Sequence, residues 1–507
     1  MVLPSEAGLA DVSNLPDFYD ELARRDFSMF LRVAFPLLHG GALLDWNWHL
    51  DAMVHALDRV RDQSCRRLLV NLPPRNLKSF AISVAWVAWM LGRNPGLNIV
   101  CVSYSSKLSE HLARQCLSLM QTATYQRLFP KTKISRKRSA SHDFHTSAGG
   151  GRLASSITGT LTGRGGDIII IDDPIKPDDV FSDVVREKVN EWFRSTLASR
   201  LNNKLSGAII CVMQRLHQYD LAGLMLEDGG WEHLSLPAIA DEDRAYTLTR
   251  NRSYLFRKGE VLHPDREPLQ ALLQIRQEQG SDTFNAQYLQ SPVAARGNII
   301  LAEWLVYQEG PSPTHGEVIQ SWDTGVKDGE RNDYSACVTA RLVGKHIHIL
   351  DVFRKRLLFP DLQRAVIAHA LEHRASTLLV EDAASGAQLL TMLRENATPG
   401  VPFPIPRTPE KDKISRVHGI SSMIESGRMV LPASAPWLTD FKAELLAFPS
   451  TRFDDQVDAL SQLLGWVALR GWRSPSRLAG PEVIEEGSLD DSQYPGSDID
   501  PWMASMN

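Results

Sequence analysis

Four segments in the N-terminal half of the chain are continuous apolar runs, and this feature most constrains the fold. The runs are residues 68–72, 98–104, 168–171 and 208–213. A strand that is exposed on one face alternates apolar with polar residues, whereas a continuous run is buried on both faces. Helical patterns separate the runs, at residues 79–91, 107–121 and 183–201. This alternation predicts an α/β fold, a mostly parallel sheet with helices on both faces.

The first apolar run leads into a tight turn that ends in a Lys-Ser pair and opens a long helix. The turn consists of Arg75, Asn76, Leu77, Lys78 and Ser79. An ammonium group, a hydroxyl and free backbone N–H groups at a helix N-terminus are what nucleotide phosphates require. We therefore expect ATP with Mg²⁺ to bind here. Lys78 would neutralise the β and γ phosphates, and the Ser79 hydroxyl would bind the metal ion.

Leu77 stands where the usual phosphate-loop pattern has glycine. Leucine disfavours a positive φ angle and narrows the approach to the backbone, whereas glycine permits both. A reshaped loop or slow hydrolysis of ATP is therefore an open alternative at this site.

An acidic pair follows the four consecutive isoleucines of the third run. We expect Asp172 to hold the water shell of Mg²⁺ and Asp173 to orient and deprotonate the attacking water. Gln214 and Arg215, after the fourth run, are candidates for sensing the γ phosphate; ordinary polar residues at a strand end are the alternative. Arg164, on a loop before the acidic strand, is either an arginine finger for a neighbouring subunit or a solvated loop arginine.

The C-terminal half contains a second series of strand and helix patterns. Strands are predicted at residues 318–323, 336–342, 346–352 and 377–381, the first three as an antiparallel meander. Helices are predicted at residues 361–373, 386–395 and 455–469. These patterns predict a second α/β domain.

Acidic residues stand at three separated element ends in this second region. Asp323 ends the first strand, Glu381 ends the fourth strand, and Asp455 opens the last helix. Carboxylates that converge in this way hold two Mg²⁺ or Mn²⁺ ions, which activate water for phosphodiester cleavage. Asp382 and Asp458 are alternate metal ligands beside these positions. A helix N-cap is the alternative role for Asp455.

Composition limits the class of protein. A length of 507 residues suits two or three domains, and 43% hydrophobic with 23% charged residues is typical of soluble globular proteins. No apolar run approaches the roughly 20 residues that span a bilayer, so no membrane partner is expected. The five cysteines form no CxxC pair, which argues against a disulfide framework or a zinc site. A net charge of −5 argues against a wholly basic nucleic-acid binder.

Two local groups of basic residues are candidates for DNA contact. One is a run on a predicted loop that comprises Lys131, Lys133, Arg136, Lys137 and Arg138. The other lies between the second and third acids and comprises Lys411, Lys413 and Arg416. Neutralising phosphates with these residues would give salt-sensitive binding without sequence preference. Solvated surface groups are the alternative.

Together the motifs resemble those of the large terminase subunit of tailed bacteriophages and prophages. The similarity spans about residues 45–470 and rests on the order and spacing of Pro73-Pro74-Arg75, Lys78-Ser79, Ile171-Asp172-Asp173-Pro174, Gln214-Arg215-Leu216-His217, Gln287-Tyr288-Leu289-Gln290-Ser291-Pro292, Asp323-Thr324-Gly325, Glu381-Asp382-Ala383-Ala384-Ser385-Gly386 and Asp454-Asp455-Gln456-Val457-Asp458-Ala459-Leu460. The resemblance implies an N-terminal P-loop-type ATPase domain and a C-terminal nuclease domain with an RNase H-like fold. The phosphate-loop residues and the acidic pair would serve the first domain, and the three separated acids the second.

The resemblance also implies a function and partners. The chain would hydrolyse ATP to translocate double-stranded viral DNA into a procapsid, and would cleave the concatemer with a two-metal endonuclease. A small terminase subunit, a portal protein and a homo-oligomeric ring on the procapsid are the implied partners. The implied location is the bacterial host cytoplasm, with transient binding to the procapsid and absence from the mature virion. Two alternatives stay open: a helicase-like DNA-dependent ATPase without nuclease activity, and an inactive prophage remnant that only docks on the portal.

Four regions are expected along the chain. They are an N-terminal helical lead-in over residues 1–60, the ATPase domain with a linker subdomain over 61–300, the nuclease domain over 315–470 and an acidic tail over 474–507. The tail is rich in Ser, Gly, Pro and acid, so it cannot bury enough apolar surface to fold alone. We expect it to be disordered in the free protein and to dock on a partner through Tyr494 and Trp502.

Overall fold

The computed structural model describes residues 15–470, apart from residues 158, 160–162, 293–297, 325–333, 384, 410 and 452. The predicted acidic tail over 474–507 lies outside the described residues. The described chain is a mixed α/β protein with two large sheets and one small hairpin. The predicted fold class is confirmed. Within these ranges no helix is long and apolar enough to cross a membrane.

Three helices precede the first sheet: α1 (Leu15–Arg25), α2 (Phe27–Leu38) and α3 (Trp48–Arg61). The Asp26 carboxylate caps α2, because it accepts hydrogen bonds from the backbone N–H groups of Ser28 and Met29. The helices pack on the sheet through their buried apolar residues.

Eight strands form the first sheet: β1 (Arg67–Asn71), β2 (Asn98–Ser103), β3 (Ile134–Ala140), β4 (Asp143–Thr146), β5 (Gly151–Ser156), β6 (Ile168–Asp172), β7 (Ala208–Met213) and β8 (Glu232–Ser235). Their order is β3-β4-β5-β2-β6-β7-β1-β8. The four predicted strands lie side by side at the centre and are parallel, as are their neighbours β5 and β8. Because these strands are parallel, their carboxyl ends meet at one edge of the sheet.

Helices cover both faces of this sheet: α4 (Val87–Arg93), α5 (Ser106–Gln121), α6 (Ala123–Leu128), α7 (Asp183–Ser195) and α8 (Leu221–Asp228). One apolar core lies on each face. The helix predicted over residues 79–91 differs from expectation, because its first part is a buried π-helix, Phe80–Trp86, that continues into α4. π-helical turns are rare and concentrate at functional sites.

A short antiparallel hairpin and two helices connect the two sheets. The elements are β9 (Arg244–Thr249), β10 (Arg252–Phe256), α9 (Leu269–Gln279) and α10 (Ser281–Gln287). Trp48 of α3 stacks on Tyr254 of the hairpin, with ring centroids 4.4 Å apart.

Seven strands form the second sheet: β11 (Val306–Gln308), β12 (Glu317–Thr324), β13 (Ser335–Val343), β14 (His346–Lys355), β15 (Thr377–Glu381), β16 (Pro404–Arg407) and β17 (Met429–Pro432). Their order is β11-β17-β14-β13-β12-β15-β16. The predicted meander is confirmed, because β12, β13 and β14 pair antiparallel. Strand β15 pairs parallel to β12, so their carboxyl ends lie together.

Five helices pack against the second sheet: α11 (Phe359–Glu372), α12 (Ser385–Glu395), α13 (Lys413–Glu425), α14 (Leu438–Ala447) and α15 (Asp455–Arg470). Apolar cores lie on both sides of the sheet. One core joins α13, α14 and α15 to the meander, and the other joins α11 and α12 to β12 and β15.

Candidate active sites

The turn between β1 and the π-helix keeps a phosphate-loop conformation without glycine. Arg75 and Leu77 both have a φ angle of 60°, in the left-handed region that glycine adopts without steric cost. Leu77 therefore takes the backbone conformation that its side chain disfavours. Two contacts hold it there: the Leu77 side chain packs on the first core, and the Arg266 guanidinium donates to the Arg75 carbonyl at 2.5 Å.

The Lys-Ser pair meets the acidic pair at the carboxyl edge of the first sheet. The Ser79 hydroxyl donates to one oxygen of Asp172 at 2.8 Å, and the Ser83 hydroxyl donates to the other at 2.5 Å. The Lys78 ammonium lies 3.5 Å from the nearer oxygen of Asp173. Asp173 itself has a φ of 44°, so the chain turns sharply as it leaves β6. The structure thus brings these predicted residues into one cluster.

Burial controls the charge of this cluster. Asp172 is 1% exposed. Burial, and secondly the neighbouring carboxylate of Asp173, raise the pKa of Asp172 to about 6, while the hydroxyls of Ser83 and Ser79 oppose this shift. A divalent cation bound beside Asp172 would favour its ionised form.

Two amide oxygens near the phosphate loop are buried without a hydrogen-bond partner. They are Oδ1 of Asn76 and Oε1 of Gln214. An unsatisfied buried polar atom costs free energy, so such atoms are rare and mark places that a ligand or ion fills. Both residues belong to the predicted nucleotide site.

Arg215 and Arg164 are engaged within the chain. Arg215 donates through Nε to Asp220 at 3.0 Å, and its backbone N–H donates to Gln290 at 3.0 Å, so it braces the end of β7. This contact gives Arg215 a structural task, and its role in γ-phosphate sensing stays a prediction. Arg164 pairs with Asp143 of β4, with one hydrogen bond of 3.3 Å. Its role as an arginine finger stays a prediction.

A second group of acids lies at the carboxyl edge of the second sheet. Asp323 follows Trp322 in β12, which pairs with Val380 of β15, so Asp323 and Glu381 end adjacent strands. Burial raises the pKa of Asp323 well above its usual range, and Glu381, Asp458 and Asp455 raise it further in that order. Burial also raises the pKa of Glu381, and Asp458 adds to this shift. These carboxylates therefore influence one another at one end of the sheet, although no three of them have ligand atoms within 4.8 Å of one another.

The alternate ligands differ in their surroundings. Asp458 is buried, and its carboxylate forms ion pairs with Lys413 at 2.7 Å and with Arg416 at 2.5 Å. Asp455 has one buried oxygen without a hydrogen-bond partner, and the nearest cation, Arg354, lies 3.5 Å from that oxygen. Asp382 is exposed beyond the end of β15. Asp458 therefore shares the region of Asp323 and Glu381, and Asp382 does not share their burial.

Glu444 on α14 supports the start of α15, the helix that carries Asp455 and Asp458, and the sequence analysis did not identify it. Its carboxylate accepts hydrogen bonds from the backbone N–H groups of Gln456 at 2.7 Å and Val457 at 3.2 Å. A carboxylate from another helix thus caps the start of α15, in place of the N-cap role considered for Asp455. No local pattern reveals such a cap, because 12 residues separate Glu444 from Gln456.

Ser385 and Gly386 fix the acids of β12 and β15 relative to each other. The Ser385 hydroxyl donates to the Thr324 carbonyl at 2.9 Å. A Cβ atom on Gly386 would lie 1.9 Å from the carbonyl oxygen of Glu381, so only glycine fits there. The start of α12 therefore clamps the ends of the two acid-bearing strands.

The basic groups are placed differently from expectation. Arg136, Lys137 and Arg138, predicted to lie on a loop, belong to the edge strand β3, which pairs with β4. Lys131 and Lys133 precede this strand, outside any helix or strand, as predicted. The side chains of Lys137 and Arg138 lie outside the described part. Lys131, Lys133 and Arg136 are exposed. In the second group, Lys411 pairs with Asp178 at 3.1 Å, and Lys413 pairs with Asp454 and Asp458 at 2.7 Å each.

Comparisons with known proteins agree with this architecture. Residues 320–465 match the family described as the terminase RNaseH-like domain. A structure of the large terminase from the thermophilic bacteriophage D6E aligns with a TM-score of 0.51 at 11% identity, over 82% of this chain and 98% of that chain. A search of curated proteins found no match.

Two other solved structures align less closely. The large terminase of the HK97 bacteriophage has a TM-score of 0.33 at 13% identity, over 81% of this chain and 93% of that chain. The large terminase nuclease from thermophilic phage G20c, with bound zinc, has a TM-score of 0.22 at 15% identity, over 33% of this chain and 94% of that chain. The family match and the D6E fold confirm the resemblance to large terminase subunits and the RNase H-like fold of the C-terminal part.

Proposed function

We propose that this chain, which carries a terminase RNase H-like domain, is the large terminase subunit of a phage or prophage. It hydrolyses ATP to drive double-stranded DNA into a procapsid and cuts the concatemer with a metal-dependent nuclease. The observation that carries this proposal is that Asp323 and Glu381 lie at the ends of adjacent parallel strands, with Asp458 near enough to raise the pKa of both, inside the segment that the family covers.

In the proposed ATPase site, Lys78 holds the β and γ phosphates, with Asn76 and the loop N–H groups around them. Ser79 and Asp172 hold Mg²⁺, which neutralises the phosphate charge when bound. The fit is supported by the hydrogen bond between Ser79 and Asp172 and by the unpaired buried oxygens of Asn76 and Gln214. Asp173 orients the attacking water and accepts its proton. In the unliganded chain its carboxylate lies 3.5 Å from the ammonium of Lys78, which the phosphates would engage when nucleotide binds.

In the proposed nuclease site, Asp323 and Glu381 hold two Mg²⁺ or Mn²⁺ ions together with Asp455 and Asp458. The ions supply an activated water and stabilise the leaving oxygen when bound. The buried oxygen of Asp455 that accepts no hydrogen bond, and the neighbouring carboxylates that raise the pKa of Asp323, support this set. Hard oxygen ligands of this kind suit Mg²⁺ and Mn²⁺.

The proposed partners and regions follow the terminase interpretation. A small terminase subunit and a portal protein would bind the chain, which would act as a homo-oligomeric ring on the procapsid in the bacterial cytoplasm. We propose the regions 1–60, 61–300, 315–470 and 474–507 as lead-in, ATPase, nuclease and tail. The exposed Lys131, Lys133 and Arg136 would contact DNA phosphates.

The ATPase half of the proposal is tested with two substitutions. Lys78→Ala and Asp173→Asn should each abolish ATP hydrolysis, measured as phosphate release, while the purified full chain still cuts DNA. Phosphate neutralisation and water activation both depend on these side chains. If Asp173→Asn hydrolyses ATP at the parental rate, Asp173 is not the base.

The nuclease half is tested by cleavage of supercoiled plasmid DNA in Mn²⁺. Asp323→Ala should abolish cleavage, whereas Asp382→Ala, at an exposed position beside the site, should retain it and serves as the matched control. Replacing Mn²⁺ with Ca²⁺ should also stop cleavage, because Ca²⁺ prefers more ligands at longer distances. A parent chain that hydrolyses ATP but leaves plasmid intact would favour the helicase-like alternative, and one with neither activity the inactive remnant.

A further inference from the structure

Three potential metal ligands lie together on the second sheet, outside both proposed active sites. They are Asp351 of β14, His369 of α11 and His373 directly after that helix. One ligand atom of each lies within 4.8 Å of the other two. Among the described residues this is the one group of three or more His, Cys, Asp or Glu side chains that meets this distance.

The fold aims these side chains at one another. His369 and His373 are four residues apart, so they lie on the same face of the helix, and their rings stack at 5.6 Å. This face continues the stripe of Leu362 and Val366, which packs on the sheet. Opposite it, the pairing of β13 with β14 shifts register beside Asp351. A bulge of this kind re-aims a side chain, which brings the carboxylate toward the helix.

The nitrogen–oxygen distances in the cluster are too long for hydrogen bonds and are close to the distances between two ligands of one metal ion. Asp351 lies 3.7 Å from Nδ1 of His369 and 3.8 Å from Nε2 of His373, beyond the N–H···O range. Nδ1 of His369 is buried and has no hydrogen-bond partner. Ligands of a tetrahedral Zn²⁺, each about 2.1 Å from the ion, lie about 3.4 Å apart. The two separations from Asp351 are close to this value, and the two imidazole nitrogens lie within 4.8 Å of each other.

The surroundings hold the His369 ring in place. Phe353 meets it edge-on with centroids 4.7 Å apart, and Trp322 lies 6.0 Å away. The Gln320 amide donates to the His369 carbonyl at 3.0 Å, which ties the end of α11 to β12. A rigid aromatic wall and a fixed backbone are what preorganise a metal ligand.

We propose that Asp351, His369 and His373 form a binding site for a borderline divalent transition metal, with Zn²⁺ the preferred ion. Two imidazoles and one carboxylate form a ligand set that selects such ions over Mg²⁺, and they leave a fourth position for water. The site clips the end of α11 to β14. His369 packs against Trp322 of β12, the residue before Asp323. The clip therefore stiffens the strand that carries this proposed nuclease acid, while its three ligands are separate from the acids themselves. The proposal does not depend on the nuclease function.

The test uses Co²⁺ as a spectroscopic probe on the full chain after chelator treatment. One equivalent of Co²⁺ should give the strong visible bands of a four-coordinate ion with histidine ligands, and Zn²⁺ should bleach them by displacement. His373→Ala and Asp351→Asn should each weaken Zn²⁺ binding by at least about a hundredfold, since loss of an outer-shell partner alone costs ten- to hundredfold. In an Asp323→Ala background, which removes a ligand of the proposed nuclease site, Zn²⁺ should raise the melting temperature, and adding His373→Ala or Asp351→Asn should abolish that rise.

Two controls separate this site from other metal binding. His346→Ala removes an exposed histidine from the same strand and should keep the Co²⁺ bands. Asp323→Ala removes a nuclease acid and should also keep them. If the parent gives no such bands, or if His373→Ala and Asp351→Asn bind Zn²⁺ as tightly as the parent, the proposal is wrong. Bands that disappear in Asp323→Ala and persist in His373→Ala would assign the metal to the nuclease acids instead and overturn it as well.

Discussion

At the scale of single residues, the phosphate loop is notable for two non-glycine residues in the left-handed region. Each such residue costs roughly 1–2 kcal/mol, because its Cβ approaches a carbonyl oxygen. The packing of Leu77 on the core and the hydrogen bond from Arg266 to the Arg75 carbonyl offset this cost. The loop conformation is therefore imposed by its surroundings, and local sequence preference opposes it.

The first prediction concerns Leu77 and compares two replacements. Leu77→Gly should bind a fluorescent ATP analogue within about threefold of the parent affinity, because glycine accepts a φ of 60°. Leu77→Val should weaken binding by at least about tenfold, since a β-branched residue is strongly disfavoured at positive φ. Fluorescence titration measures both. Equal affinities for the two variants would show that the loop does not keep its conformation in the nucleotide complex.

The second prediction concerns pH and Asp172. Its pKa is raised to about 6 from 3.8, so the folded state binds the proton more tightly than the unfolded state. The stabilising contribution of this group is complete below about pH 4 and is lost as the pH rises through 6. Without nucleotide and metal, Asp172→Asn should therefore gain stability over the parent between pH 4.5 and pH 7.5, by about 1–3 kcal/mol.

Urea unfolding at the two pH values measures this gain. Asp265→Asn, at an exposed position, is the control and should show the same difference from the parent at both pH values. An Asp172→Asn chain whose advantage is independent of pH would contradict the assignment of the shift to this carboxyl.

At the scale of elements, buried strands and long helices were predictable, whereas short strands were not. The prediction for β7 matches its limits, and that for β15 does too, because their apolar runs are long and bounded by polar residues. β16 and β17 have four residues each and pair by tertiary contact, which leaves no period in the sequence. β3 was predicted as a loop because three consecutive residues of its sequence, Arg136, Lys137 and Arg138, are basic.

The candidate sites were predictable to a similar extent. The end of an apolar run is visible in the sequence, so Asp172, Asp323 and Glu381 could be selected as acidic residues at the ends of predicted strands. The choice between Asp455 and Asp458 could not, because it depends on how α15 rotates against the sheet. The Asp351 cluster was missed for a similar reason, since a β-bulge gives no sequence signal.

The third prediction concerns the start of α12. Gly386→Ala places a methyl group 1.9 Å from the Glu381 carbonyl, so the strand end must move. We expect a loss of about 1–3 kcal/mol in the free energy of unfolding, as for other overpacked sites, and at least a tenfold loss of plasmid cleavage with ATP hydrolysis unchanged. Gly419→Ala, where a Cβ meets no atom within 4 Å, is the matched control. Cleavage at the parental rate in Gly386→Ala would mean that Glu381 is not held by this contact.

At the scale of the whole molecule, the two sites are joined by a short physical path. The turn after the ATPase acids contacts the start of α13: Asp178 pairs with Lys411, and Phe181 stacks on His418 with centroids 3.8 Å apart. The same helix carries Lys413 and Arg416 to Asp458. Any movement of this turn in response to a bound nucleotide, under the proposed function, would be passed to α13 or would break this stack.

The fourth prediction tests whether this path couples the sites. A non-hydrolysable ATP analogue should change the Mn²⁺ concentration that half-saturates plasmid cleavage by at least about threefold in the parent. In His418→Ala the analogue should leave the half-saturating Mn²⁺ concentration nearly unchanged, while ATP hydrolysis and plasmid cleavage both persist. Phe403→Ala removes an aromatic residue that is 66% exposed and should leave the factor unchanged. A factor of one in the parent would show that the contact is only structural.

The pairing of Lys413 with Asp454 and Asp458 implies that metal ions and basic side chains compete for the carboxylates of the proposed nuclease site. A divalent ion that binds Asp458 competes with an ammonium and a guanidinium for the same oxygens. Each cation released from the carboxylate becomes available to a backbone phosphate of DNA. Loading the site with metal should therefore add positive charge to the DNA-binding surface and steepen the dependence of DNA affinity on salt concentration. The chain would hold DNA most firmly at the moment when it is equipped to cut.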